Sequence, residues 1–184
     1  MCKMKNNLIY WNIIISSFLL SQDLGSMLNK ANNKLKAGEL KLAEIELQKI
    51  LEIDPSYAPA RVAYSKLWLR RADISKANEY ATLAVRIDED FRAWWDELND
   101  IRNKVQLGRQ NTQKEDYENA MREYEAIAKK YPYYPEVHYY MGITKFKQRD
   151  FKGAAFYFER ALKIYPGYQK AQKGLNNVSK RLRK

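Results

Sequence analysis

Apolar residues recur along most of this chain at helical rather than strand spacing. Residues 135–168 show it most clearly. Val137, Met141, Ile143 and Phe146 follow a period near 3.6, and the polar run Lys147, Gln148, Arg149 and Asp150 interrupts them. Ala154, Phe158, Ala161, Leu162 and Ile164 then resume the period. The pattern predicts two amphipathic helices joined by a tight turn. Pro166 marks the end of the second, because proline donates no backbone N–H and restricts the residue before it.

The same phase returns along the chain. Ala43, Ala77, Ala120 and Ala154 are separated by steps of 34, 43 and 34 residues. Four positions after each alanine come Leu47, Ala81, Tyr124 and Phe158, and twelve after it come Pro55, Glu89, Pro132 and Pro166. His138, Met141, Gly142, Ala154, Phe158 and Pro166 fall on the marks of the tetratricopeptide repeat, whose period is about 34 residues. His138 and Lys145 replace its usual tryptophan and tyrosine. The chain therefore resembles the tetratricopeptide-repeat family from about Leu24 to its end.

That resemblance implies an all-α fold, a tetratricopeptide-repeat solenoid of about four helical hairpins plus a C-terminal capping helix. The repeats are expected at 24–57, 58–91, 92–134 and 135–168, with the cap at 169–184. Ala31 and Ser65 take the small marks of the first two repeats, and Gly38 makes a turn. The third repeat carries nine residues more than the period, expected between Arg102 and Asp116. Val105 and Leu107 suggest a first helix lengthened by a turn or two, followed by a loop at 108–112. In the cap, Ala171, Leu175, Val178 and Leu182 form one stripe among lysines.

Residues 1–22 differ from the rest. Lys3 and Lys5 precede an apolar run from Leu8 to Leu20, and there is no acid before Asp23. This reads as a signal peptide cut near Gln22, with export to a periplasmic or extracellular space. The alternative is a membrane-anchored chain that associates through residues 8–20, a run shorter than an ordinary spanning helix. The single cysteine, Cys2, precludes an internal disulfide and a multi-cysteine metal site.

No catalytic, cofactor-binding or metal-binding set is expected. His138 is the one histidine and falls on a core mark, and no nucleotide-binding or zinc-protease motif occurs. Glu44, Glu46 and Glu52 read as solvated-face residues. The resemblance implies instead a non-enzymatic scaffold that binds a peptide segment or protein surface along a concave wall of first helices. Spacing of i, i+4, i+7 assigns to that wall Leu28, Asn32 and Leu35; Val62, Lys66 and Leu69; Asp96, Asp100 and Asn103; and Tyr139, Ile143 and Phe146. Seven of these twelve are apolar or aromatic, as in a binding surface. The family's clamp for a terminal carboxylate is not expected, because of the matching positions Leu28, Asn32, Ala63, Ala93 and Glu97 only Asn32 fits.

Charge adds an alternative. The net charge is +11, and from Ile101 onward 19 Lys or Arg face 8 Asp or Glu. Lys180, Arg181, Arg183 and Lys184 are expected to steer anionic partners, or to dock the basic half on an anionic membrane or polymer. Export disfavours nucleic acid as the partner.

Overall fold

The computed structural model describes residues 22–183; Lys184 and residues 1–21, where the signal segment is expected, lie outside them. Helix α1 occupies 22–37. It is followed by α2 (Leu40–Ile53), α3 (Ala58–Arg70), α4 (Ile74–Ile87), a single 3-10 turn (Glu89–Phe91), α5 (Arg92–Gln113), α6 (Tyr117–Lys130), α7 (Pro135–Lys147), α8 (Phe151–Ile164) and α9 (Gln169–Leu182). No strand occurs among the described residues. The helices pair in sequence as four hairpins, α1/α2, α3/α4, α5/α6 and α7/α8, with α9 packed on the last. The expected all-α solenoid with a terminal helix is the observed architecture.

Repeated turn chemistry joins the two helices of each hairpin. Gly38, Ala72, Glu115 and Arg149 all adopt a positive φ, between 58° and 81°. Their spacing is the 34, 43, 34 of the alanines. The residue after three of them is an aspartate, and Asp73, Asp116 and Asp150 each accept a hydrogen bond from the backbone N–H three residues on. These caps satisfy donors that a helix start otherwise leaves unpaired. Glu39, the fourth, makes no such bond.

Inside the last two hairpins a glycine of the first helix meets a large ring of the second. A Cβ on Gly142 would lie 2.7 Å from the Phe158 ring, and one on Gly108 would lie 2.5 Å from the Tyr124 ring. Gly174 of α9 approaches Phe158 from the other side in the same way, at 2.7 Å. Ala31 with Leu47, and Ser65 with Ala81, occupy the corresponding positions, all of them buried. Buried clusters follow one another from α1 to α9.

The third hairpin corrects two expectations. There is no loop at 108–112, and the additional residues are not between Arg102 and Asp116. α5 is one continuous helix of 22 residues, against 13 in both α3 and α7. Because Gly108 backs onto Tyr124 as Gly142 does onto Phe158, the C-terminal part of α5 is in phase with α7. The nine-residue excess therefore stands at its beginning, in 92–100. Gly108 is a close-packing residue here and not a turn residue. The excess segment is built into the core: Leu98 is buried, Trp94 donates to the Ser65 hydroxyl at 2.8 Å, and Trp95 donates to that of Thr82 at 3.0 Å. Glu97 accepts from the Tyr131 hydroxyl at 2.5 Å and pairs with Lys130 at 3.2 Å.

Nine residues add roughly 13 Å of helix. The hairpins after α5 are consequently displaced along the helix direction relative to those before it. This brings the connection between α6 and α7 level with the end of α3. Arg70 of α3 stands over the Tyr133 ring, 5.3 Å from its centre, and Leu69 shares a core with Tyr131 and Tyr134.

The acids expected to be solvated are partly structural. Arg71 holds Glu44 with two hydrogen bonds, at 3.0 and 2.7 Å, tying α3 to α2 and lowering the Glu44 pKa. Glu46 is 9% exposed and pairs with Lys30 and Lys49. Glu52 remains exposed.

Two stability predictions follow from the turns and crossings. Arg149→Gly should raise stability by about 0.5–1 kcal/mol, since it removes a side chain from left-handed backbone. Gly142→Ala should lower it by about 1–3 kcal/mol through overpacking, whereas Gly25→Ala, which meets nothing within 4 Å, should not destabilise. Urea unfolding of the three variants measures all of this, and a Gly142→Ala protein as stable as the parent would refute the crossing assignment.

Candidate functional site

The first helices, α1, α3, α5 and α7, form the wall assigned to binding, and three recesses open along it and beside α9. The first has a volume of about 560 Å³ and is lined by Asn29, Asn32, Asn33, Leu35 and Lys36 of α1, Lys66 and Arg70 of α3, and Tyr133. Tyr133 reaches it only because of the displacement after α5. The second, about 200 Å³, lies between α5 and α7 and is lined by Arg109, Thr112, Tyr139, Tyr140, Ile143 and Lys147, among others. The third, about 680 Å³, lies between α7 and α9 and is lined by Phe146, Asn177, Lys180, Arg181 and Arg183.

The residues assigned from spacing fall into three groups. Asn32, Lys66, Ile143 and Phe146 line recesses, and so does Tyr139. Val62 and Leu69 are 8% and 0% exposed, so they are core residues rather than groove residues, while Leu35, 5% exposed, is largely buried and only edges the first recess. They lie on the sides of α1 and α3 that pack against neighbouring helices. Leu28 is half-buried against the first core. Asp96, Asp100 and Asn103 are exposed on α5 but line none of the recesses. With the excess at 92–100, the positions in phase with Tyr139, Ile143 and Phe146 are Val105, Arg109 and Thr112. Spacing from the repeat before could not show this, because it carries the wrong register past the excess.

Tyr139, Ile143 and Phe146 are half-buried and pack on the core formed with α8 and α9. The Tyr139 ring lies 5.8 Å from that of Phe158 and 5.6 Å from that of Tyr168. Phe146 lies 5.5 Å from Phe151 and also faces the basic end of α9. Phe146, the last residue of the apolar stripe of α7, thus meets the cations Lys180, Arg181 and Arg183 in one recess.

Each recess combines cations with aromatic rings. The Lys66 ammonium is 5.2 Å from the centre of the Trp94 ring, and the Arg109 guanidinium is 5.4 Å from that of Tyr140. Arg70 also donates to the Leu35 carbonyl, which fixes its guanidinium at the edge of the first recess. Sequence spacing missed Arg70, Arg109 and Tyr133. The first two stand outside the i, i+4, i+7 positions as assigned, and Tyr133 belongs to a connection between hairpins.

Beneath the wall, two titratable groups are buried with opposite consequences. His138 is 1% exposed; burial, with Arg160 nearby, brings its pKa from 6.5 down to about 4. Glu136, in the first turn of α7, is 7% exposed, and burial raises its pKa although the Tyr134 hydroxyl donates to it. No cluster of three or more metal-ligating side chains occurs among the described residues.

These pKa shifts predict an acid response. The unfolded chain protonates His138 before the folded one does, so the stability it contributes is complete above about pH 6.5 and lost as pH falls towards about 4. Glu136 acts oppositely, because its folded form takes up a proton first. His138→Gln should flatten the loss of stability over this range and Glu136→Gln should steepen it, as read from urea midpoints at a series of pH values.

A family pattern described as tetratricopeptide repeat matches residues 135–168. No curated protein matches the sequence. Among solved structures, the tetratricopeptide-repeat domain of P58(IPK) superposes with a TM-score of 0.65 at 13% identity. That match covers 98% of this chain and 56% of the P58(IPK) domain, so the chain spans just over half of it. Two others superpose less well. YrrB, described as a tetratricopeptide-repeat protein with an unusual peptide-binding site, has 19% identity and a TM-score of 0.39, covering 80% of this chain and 89% of its own. PilF of Pseudomonas aeruginosa has 20% identity and a TM-score of 0.41, covering 89% and 71%.

Proposed function

We propose, from the premise that the chain belongs to the tetratricopeptide-repeat family, that it is a non-enzymatic interaction scaffold holding a peptide segment or protein surface along its first helices. One observation supports this above the others. The wall carries three successive recesses, each pairing at least one aromatic or apolar side chain with cations. Aromatic anchors in pockets supply binding energy, and rim charges supply rate and specificity. An extended segment laid along the wall would meet all three.

A second reading rests on α9. From its first residue to its end it carries Lys170, Lys173, Lys180 and Arg181 and no acid, and Leu182 is 48% exposed. Such an end could dock on an anionic membrane or polymer. Salt separates the readings, since apolar groove contacts tolerate it and charge docking weakens steeply.

The test places a photo-crosslinking residue in the full chain at Asn32 or Ile143 on the wall, and at Glu118 or Arg122 on the exposed face of α6. Crosslinks to one partner from the first two positions and not the last two are expected. Crosslinks only from α6, or an association abolished by salt and by neutralising Lys180, Arg181 and Arg183, would replace the groove reading with charge docking. Export belongs to the same proposal and rests on residues 1–22. Protein recovered from its native compartment should then begin close to Asp23, and intact Met1 in a cytosolic fraction would overturn it.

A further inference from the structure

We infer that the first recess accepts carboxylate side chains of an acidic peptide segment, an assignment that rests on the groove reading and names its partner's chemistry. The recess presents Lys36, Lys66 and Arg70, and no acid lines it. None of the three belongs to an ion pair among the described residues. Elsewhere the chain does pair its cations, as in Arg71 with Glu44 and Lys130 with Glu97. Three positive charges outside any ion pair around one concavity favour an anion there, and the attraction is stronger than on an open surface.

Two of the cations are held in place. Lys66 rests against Trp94, and Arg70 is fixed by the Leu35 carbonyl on one side and the Tyr133 ring on the other. The Arg70 Nε is enclosed and has no hydrogen-bond partner among the described residues. A guanidinium held in this way loses little freedom on meeting a carboxylate, whose planar geometry it matches. Because Tyr133 completes the recess, the site depends on the nine-residue excess in α5.

The remaining lining distinguishes a peptide from other anions. Asn29, Asn32 and Asn33 present amides that both donate and accept, which complements a peptide backbone. A phosphodiester backbone offers acceptors alone. Asp96 and Asp100 are exposed on α5, the next first helix. Asp100 is paired with Lys104, and Asp96 opposes a polymer that carries a charge at every step but not a peptide whose acids are local. A flat bilayer does not enter a concave recess. The chain's own residues 1–22 contain no acid and so lack the complementary charge.

Calorimetry of the full chain tests the assignment. The probes are a Glu-rich peptide blocked at both ends, its Gln counterpart, oligothymidylate, and vesicles containing phosphatidylserine. Blocking the termini removes the terminal carboxylate, so binding reports side chains. The Glu peptide is expected to bind and the Gln peptide to bind at least roughly ten-fold more weakly. Lys36→Gln with Lys66→Gln, both exposed positions, should weaken the Glu peptide about ten-fold without changing the melting temperature. Lys129→Gln with Lys163→Gln, exposed on α6 and α8 away from the recesses, should leave its affinity unchanged. Equal binding of the two peptides, full affinity in the Lys36/Lys66 variant, or tighter binding of oligothymidylate or vesicles would each overturn the assignment. Failure of the Glu peptide to bind would overturn it too, while leaving the groove reading to its own crosslinking result.

Discussion

Two helices cross as closely as α7 and α8 do only where one of them contributes no side chain. Gly142 supplies that absence, and the Phe158 ring fills it, with Gly174 closing the other side. Gly108 and Tyr124 repeat the arrangement one hairpin earlier. The contact fixes the depth, rotation and register of each hairpin at once, because a helix turned by one residue would put a Cβ into the ring. The turns with left-handed residues at 38, 72, 115 and 149 and the aspartate caps that follow three of them keep the same register.

Register is also what makes the α5 excess consequential. An extra loop would have left the stacking of neighbours unchanged. An extra stretch of continuous helix cannot, because it carries everything after it along the axis. Trp94, Trp95 and Leu98 make that stretch a packed part of the core, and Glu97 ties it to Tyr131 and Lys130. The displaced half then meets the end of α3 through Tyr133 and Arg70. The first recess is a product of this offset rather than of any single repeat.

The buried polar groups show the cost of a fold that keeps its wall open. His138 and Glu136 are buried residues of α7 with few or no charged partners, and burial moves both away from their charged forms. Their opposite signs partly compensate as pH falls. The cations on the wall above them are not compensated in this way, and they remain available to something outside the chain.

Much of the fold was legible in the sequence. Alanines at steps of 34, 43 and 34 residues, with large residues four later and prolines twelve later in three of the four repeats, specify successive helical hairpins, since helix period and helix ending are local properties. The turn column at 72–73, 115–116 and 149–150 was equally present, but its residues Ala, Glu and Arg do not announce a left-handed backbone. The location of the excess was not legible. Spacing counts residues between marks, and only the approach of Gly108 to Tyr124 says on which side of them the excess lies. The wall followed the same division. Spacing found Asn32, Lys66, Ile143 and Phe146, whose exposure depends on their own helix. Tertiary structure alone decided that Leu35 and Leu69 are buried and that Tyr133, Arg70 and Lys66 share a recess, because those facts depend on where distant helices come to rest.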